Sequence, residues 1–412
     1  MKRTFFSLFF ISGIFILGAC APKTETPLTP TPVLVQTVIV DTPAPTVSCS
    51  AISVEPTLAP STESYFPPVS GADFSFGPAD APVTIVEYCD FQAEGCRNMA
   101  TIIGELMRNY DNLRFVFRPL PLIDVLDKSD KAVIAALAAD EQDNFWAMYD
   151  LLFVKHADWV NLKPEAFDAW VVKESMTLGM DGEKLQAAIH ADETVTSMRS
   201  RYDAAKKLNL PAVPLILING SLQPSYLLDY QSMSDAVGLI ALGQKQFSQC
   251  PSFRVDPQKQ YIATLHTEKG DIVMQLFADK APLAVNSFVF LARQGWYDGV
   301  TFHRVIPGFV AQAGDPSGTG RGNPGYFFNN EISDLKFDKP GMVGMANNGA
   351  DTNGSQFFIT FAPASHLDGG YTIFGQVLSG LDVAEQLTPR DPDQGAVLSP
   401  GDKILSVEIE EK

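Results

Sequence analysis

The sequence predicts two folded lobes in series: an α/β lobe carrying a helical insertion, then an all-β-dominated closed barrel with flanking helices. Three observations carry that expectation. At 412 residues the chain is too long for one ordinary domain. Its middle third runs strand, helix, strand, a long helical block and a further strand, the order of an α/β unit with an insertion. From Tyr261 onward, short β-branched runs alternate with glycine-punctuated turns, as in a small barrel. A hydrophobic content of 46% is enough for two cores.

The chain opens with Lys2 and Arg3 ahead of an apolar run over residues 5–17, which is signal-peptide length and too short to span a bilayer. The run ends in Leu17-Gly18-Ala19-Cys20, which resembles the lipobox of bacterial lipoproteins. That resemblance implies a signal peptide over residues 1–20, with cleavage before Cys20 and palmitate-type acylation at its sulfur. The product would be extracytoplasmic and lipid-anchored to the cell membrane, with the choice of outer or single membrane left open. Several acyl chains on one residue anchor far better than one. An ordinary signal peptide with an incidental cysteine is the competing reading.

Residues 21–70 hold ten of the 29 prolines, with many threonines between them. Proline fixes φ and removes a donor, so this stretch reads as a disordered, extended tether, including the short apolar run 33–40. At roughly 3 Å per residue it would reach about 150 Å.

The first lobe is expected over residues 71–250. Residues 83–88 form a compact β-branched run and read as a buried strand. A helix follows over about 96–110, then a strand over 113–118, then helices through about 207. Residues 215–218 supply a late strand closed by Asn219-Gly220, a strong hairpin signal. This order, with the run Gly77 to Tyr88, Asp90-Phe91-Gln92, Phe145-Trp146 and Val213-Pro214, resembles the DsbA-type thioredoxin family. The resemblance places Pro214 at the family's cis-proline beside its active site. It also implies Cys-x-x-Cys after Asp90-Phe91-Gln92, where this chain has Ala93-Glu94-Gly95-Cys96. Ala93 cannot form the attacking thiolate, and Cys96 matches the shielded, resolving cysteine. Ala93, Cys96, Val213 and Pro214 are therefore read as the remnant of a site that has lost its redox chemistry.

Apart from Cys20, the cysteines are Cys49, Cys89, Cys96 and Cys250. An exported chain keeps disulfides, and four cysteines allow three full pairings, which sequence alone does not decide. A Cys49–Cys250 bridge is the expectation, because both lie outside the apparent domain cores.

The second lobe is expected over residues 257–412. Residues 261–265 and 272–276, separated by Lys269-Gly270-Asp271, read as a hairpin, and residues 281–292 as a helix. Two long segments follow: Phe302-His303-Arg304-Val305-Ile306-Pro307-Gly308-Phe309-Val310-Ala311-Gln312-Ala313-Gly314-Asp315, and Met345-Ala346-Asn347-Asn348 through Asn353-Gly354-Ser355-Gln356-Phe357-Phe358-Ile359. Between them lies the glycine-rich stretch 318–326, and after them come Leu367-Asp368-Gly369 and Phe374-Gly375. Together these resemble the cyclophilins, a family of peptidyl-prolyl cis-trans isomerases. The resemblance implies Arg304 as the catalytic arginine and Gln312 as the residue orienting it. It implies substrate contacts from His303 (at the rim), Phe309, Val310, Ala346, Asn347, Asn348, Gln356, Phe358, His366, Leu367 and Tyr371. His366 stands where many members have tryptophan and Tyr371 where they have histidine, so at most weak cyclosporin binding is implied.

Elementary chemistry agrees with such a residue set. Rotation about an X–Pro amide faces a barrier of about 18–20 kcal/mol and breaks no bond. The need is a donor for the twisted amide and an apolar slot for the proline ring, with no nucleophile, metal or cofactor. A net charge of −18, without any basic cluster, excludes nucleic acid as a partner. The expected partners are proline-containing unfolded or partly folded polypeptides and, through the anchor, a membrane. Two other functions stay open at this point: a peptide-binding chaperone or scaffold, and a thiol-disulfide oxidoreductase using Cys89 and Cys96.

Overall fold

A computed structural model describes residues 48–52, 65–210, 212–394 and 401–412. The expected signal peptide, Cys20 and the run 33–40 lie outside the described residues.

Strand β1 (Cys49–Ala51) is followed by the N-terminal lobe, whose strands are β2 (Phe74–Phe76), β3 (Val83–Cys89), β4 (Leu113–Pro119), β5 (Leu215–Ile218) and β6 (Ser221–Leu222). They form one sheet in the order β2-β4-β3-β5-β6, with β3 and β4 parallel. Helix α1 (Glu94–Asn109) makes the crossover between β3 and β4, burying Cys96, Met99, Ile103 and Leu106 at helical spacing. The insertion comprises α2 (Ser129–Asp140), α3 (Phe145–Val154), α4 (His156–Trp159), α5 (Pro164–Met176), α6 (Gly182–Ala188) and α7 (Asp192–Lys207). Helix α8 (Tyr230–Leu242) closes the lobe. Strand β3 is buried along nearly its whole length, which explains its continuous apolar run. The Asn219-Gly220 turn takes positive φ at both residues, as its sequence predicts. Asn219 then ties the turn to β3, accepting from the Thr84 amide at 2.7 Å and donating to the Pro82 carbonyl at 2.9 Å.

The C-terminal lobe contains β7 (Tyr261–Thr267), β8 (Gly270–Leu276), α9 (Pro282–Arg293), β9 (Arg304–Ile306), β10 (Val310–Ala313), β11 (Tyr326–Phe328), β12 (Met342–Met345), β13 (Phe357–Thr360), β14 (Ile373–Ser379), α10 (Leu381–Glu385) and β15 (Ile404–Glu411). Eight of these strands form an antiparallel sheet in the order β15-β7-β8-β14-β12-β13-β10-β9. The sheet curls around Phe288, Tyr297, Phe302, Phe357 and Phe374. Among the described residues its ladder does not run continuously around a closed barrel. The end strands β15 and β9 are not hydrogen-bonded neighbours, and the segments leading into them meet at an isolated bridge between Thr301 and Lys403. Helix α9 starts with proline at its first turn, and the buried Glu331 carboxylate accepts from the Leu283 and Ala284 amides at 2.9 Å each.

The expectation of a disordered tether over residues 21–70 needs correction within its described part. Strand β1 pairs antiparallel with β11, and Cys49 is bonded to Cys250. Phe66 and Val69 pack on the back of the five-stranded sheet, while the Pro67 and Pro68 carbonyls accept from Arg118. Burial of these few apolar residues against ready partners outweighs the proline-rich composition around them. The reason given for expecting the Cys49–Cys250 bridge also fails: both cysteines pack against the second core, as do Leu242, Phe247 and Val255. The bridge itself forms and spans a sequence separation of 201 residues.

Closing so long a loop restricts the unfolded chain, so the Cys49→Ser, Cys250→Ser double variant should lose about 2–4 kcal/mol of stability. Urea unfolding of the two proteins measures this, and equal midpoints would show that the bridge adds nothing.

Candidate functional site

The site is built on three neighbouring strands. Strands β9 and β10 form a hairpin turned at Gly308, whose φ is +72°, and β10 pairs in turn with β13. Gln312 lies directly opposite Arg304 on one side and Phe358 on the other, and Phe358 lies opposite Gly344 of β12. Directly paired residues share a face, so Arg304, Gln312 and Phe358 form one row across the curled sheet. Val310, two residues before Gln312, lies on the same face and is buried with Phe337, Met342, Phe358, Ala364 and Ile373.

Around this row stand the apolar walls. Phe309 stacks on His366 at 5.6 Å between ring centroids, and Tyr371 meets Phe358 edge-on at 5.6 Å. Leu367 and Ala346 pack partly exposed against the same cluster. The Arg304 guanidinium carbon sits 5.9 Å from the Phe309 ring centroid, and its Nε is 3.9 Å from the exposed Asp393 carboxylate. Among the described residues no close carboxylate fork holds the guanidinium, and it stays about one-quarter exposed beside the apolar slot.

Polar contacts fix the second half of the site. Gln312 Nε2 donates to Gln356 Oε1 at 3.0 Å, and Gln356 Nε2 donates to the carbonyls of Gly320 (3.0 Å) and Gly322 (2.9 Å). With Nε2 committed in this way, the acceptor end of Gln312 is the end open to a guanidinium donor. Asn347 Nδ2 donates to the Gly370 carbonyl at 3.2 Å, and the Asn348 amide donates to Thr352 Oγ1 at 2.9 Å. Gln312, Gln356 and residues 346–348 line a small cavity of about 50 Å³ together with residues 320–323.

The comparisons with known proteins come down on the same stretch. Residues 262–409 match the model of the cyclophilin type peptidyl-prolyl cis-trans isomerase family, and residues 70–237 match a thioredoxin model. A peptidyl-prolyl cis-trans isomerase of Arabidopsis thaliana is 47% identical over 147 residues, covering 35% of this chain and 88% of that protein. A peptidyl-prolyl cis-trans isomerase of Helicobacter pylori is 46% identical over 144 residues, covering 34% and 88%. A solved Cryptosporidium parvum cyclophilin type isomerase is similar at 34% identity and a TM-score of 0.34, covering 37% of this chain and 99% of that one.

The chain belongs to the cyclophilin family. It is a cyclophilin-type peptidyl-prolyl cis-trans isomerase with a thioredoxin-like N-terminal region.

Within the cyclophilin lobe one expected contact is misplaced. His303 is not at the rim; it is 3% exposed, and neither ring nitrogen has a hydrogen-bond partner. His303 immediately precedes β9 and packs inward against Gly320 while Arg304 faces the slot. Burial, reinforced by the nearby Arg390 and Arg304 charges and opposed by Asp315, lowers its pKa to about 4. It is therefore neutral at physiological pH and acts as packing. A residue missed by the sequence analysis is Gly344. A Cβ there would fall 2.6 Å from the Phe358 ring and 2.9 Å from the Phe337 ring, so its absence makes room for the slot's aromatic floor. The available signal was a glycine inside the apolar run Met342-Val343-Gly344-Met345.

In the thioredoxin-like lobe residues 93–96 and Val213–Pro214 come together. The Val213–Pro214 bond is cis, and a Cβ on Gly95 would lie 3.0 Å from Pro214 Cδ, so the turn 93–96 abuts the cis-proline. Cys96 is bonded to Cys89, and both are fully buried, so neither of these sulfurs is exposed for thiol exchange. A disulfide-form oxidoreductase is attacked by a client thiolate, and this burial offers such a thiolate no exposed sulfur. Glu87 was also missed: an acid inside the run 83–89, fully buried, with both carboxylate oxygens unpartnered. Burial raises its pKa to about 8.

Because Glu87 binds its proton more tightly when folded, its contribution is full below the unfolded carboxyl pKa of about 4.5 and is lost as pH rises toward 8. Glu87→Gln removes that titration. It should gain about 1–3 kcal/mol on the parent protein between pH 5 and pH 8. Urea midpoints at the two pH values measure this, and a gap that does not change with pH would refute the assignment.

Proposed function

We propose that this cyclophilin accelerates prolyl isomerisation through Arg304, with the Arg304–Gln312–Phe358 row as the observation carrying the reading. A proline ring enters the slot between Phe309, Phe358 and Leu367, while the chain beside it lies along residues 346–348. As the amide twists, conjugation is lost and its nitrogen becomes a better acceptor; a permanently charged guanidinium beside the slot stabilises that form over either planar one. Gln312 limits the guanidinium to productive orientations. The reaction breaks no bond to the substrate, so the proposal calls for no cofactor. Substrates are proline-containing unfolded or partly folded polypeptides, and cyclosporin binds weakly because His366, stacked on Phe309, replaces a larger indole.

We further propose that the enzyme works outside the cytoplasm, lipid-anchored through Cys20, on exported or surface proteins. The disulfides support this. Four of the five cysteines pair as Cys49–Cys250 and Cys89–Cys96, which suits an oxidising compartment and leaves Cys20, at the Leu17-Gly18-Ala19-Cys20 motif, for acylation. Metabolic labelling with palmitate tests the anchor: Cys20→Ser should abolish incorporation and release the protein from the membrane fraction.

Arg304→Ala should lower kcat/KM on a short Ala-Pro peptide by about 10²- to 10³-fold, the usual effect of deleting a transition-state donor. A protease-coupled isomerisation assay measures it. Turnover like that of the unmodified protein would remove Arg304 from the mechanism.

A further inference from the structure

Helix α8 belongs to the thioredoxin-like sheet by sequence order, yet it presents two faces. Met233 and Val237 enter the first core. Asp235, Gly238 and Leu242, spaced as one helical face, meet the cyclophilin loop of residues 315–325 instead. Asp235 Oδ2 accepts from Arg321 Nη2 at 2.6 Å. At Gly238 the helix comes so close that a Cβ would lie 3.0 Å from the Ser317 carbonyl oxygen. Leu242 is 3% exposed and sits in the cyclophilin core, its Cδ2 2.6 Å from where a Cβ of Gly322 would be. Beyond the helix, Gln246 Nε2 donates to the Asn323 carbonyl at 3.1 Å and the Phe247 amide to the Pro324 carbonyl at 2.8 Å. Glycine is among the poorest residues for a helix interior, and here a Cβ would force the Ser317 carbonyl to give by a few tenths of an ångström.

The loop so held is the one whose Gly320 and Gly322 carbonyls anchor Gln356, which in turn orients Gln312 opposite Arg304. We propose that α8 is a positioning element of the isomerase site: Gly238 and Asp235, supplied by the thioredoxin-like lobe, set the seat of the loop and hence of the Gln356–Gln312 pair. This rests on the reading of Arg304 and Gln312 given above. The lobe that has lost an exposed thiol thereby gains a role in catalysis without touching the substrate. Asp235 and Gly238 are positioning residues, not catalytic ones.

The test compares turnover of an Ala-Pro peptide by the full chain and by Gly238→Val, Asp235→Lys and the exchanged pair Asp235→Lys with Arg321→Asp. A small displacement of a catalytic group costs rate rather than binding, so Gly238→Val should lower kcat about five- to tenfold and Asp235→Lys about threefold, with KM within about twofold. The exchanged pair should return to within about twofold of the parent protein. The side-chain amide signals of Gln312 and Gln356 should shift in both single variants and return in the exchanged pair. Lys259→Ala, at a surface pair with Glu411 outside the site, should leave kcat unchanged. Unchanged kcat in folded Gly238→Val and Asp235→Lys overturns the inference, as does a loss that charge exchange does not restore. Should Gly238→Val fail to fold, the charge-exchange series decides. If Arg304→Ala is itself fully active, the underlying reading fails; if Arg304→Ala is inactive while the α8 variants keep full kcat, only the α8 inference fails.

Discussion

The buried carboxylate of Asp315 is the interaction on which the cyclophilin site rests. It accepts from the Ser317 amide and hydroxyl at 2.8 and 2.6 Å, from Thr319 Oγ1 at 3.2 Å and from the Gly322 amide at 2.9 Å. A fully buried acid needs such a set of donors, and satisfying it winds residues 315–322 into one shape. Gly322 has to be glycine, since a Cβ would fall 2.0 Å from Asp315 Oδ1. Only in that shape do the Gly320 and Gly322 carbonyls converge on Gln356. The Arg304 side of the slot thus inherits its order from a carboxylate that never meets the substrate.

Much of this was legible in the chain. The late hairpin at Asn219-Gly220 could be read from turn chemistry, and β3 from a β-branched run. The pocket residues Phe309, Phe358 and Leu367 could be named from motif, but their meeting could not, because register between β9, β10 and β13 is a property of the folded sheet. His303 was misread because its burial comes from packing against Gly320 of a loop distant in sequence, which only the fold brings beside it. Gly344 was missed because a glycine's role here is the space it leaves, visible only once Phe337 and Phe358 are in place.

Where the sequence misled, tertiary context overrode local composition. Cys89 and Cys96 are seven residues apart, a spacing with no redox motif, yet β3 ends where α1 begins and their Cα atoms stand 5.7 Å apart. Cys49-Ser50-Ala51 carries almost no strand propensity, but the exposed edge of Tyr326–Phe328 offers it a ladder. Nor could α8 be assigned a second face before its neighbour was known. Its Asp235, Gly238 and Leu242 read as an ordinary mixture of helix residues until the loop at 317–322 lies beside them.

The Cys49–Cys250 bond also determines how the chain carries load. Covalently, it short-circuits the polypeptide: tension applied upstream of Cys49 passes through sulfur to Cys250 and on toward the cyclophilin lobe. The thioredoxin-like sheet and its helical insertion lie within the bypassed loop and bear none of that force along their backbone. Shear, flow or the drag of a bound client would be resisted first by the β1–β11 ladder and the disulfide beside it. The N-terminal lobe lies within a covalently closed loop, and its backbone is not a link in the tensile path.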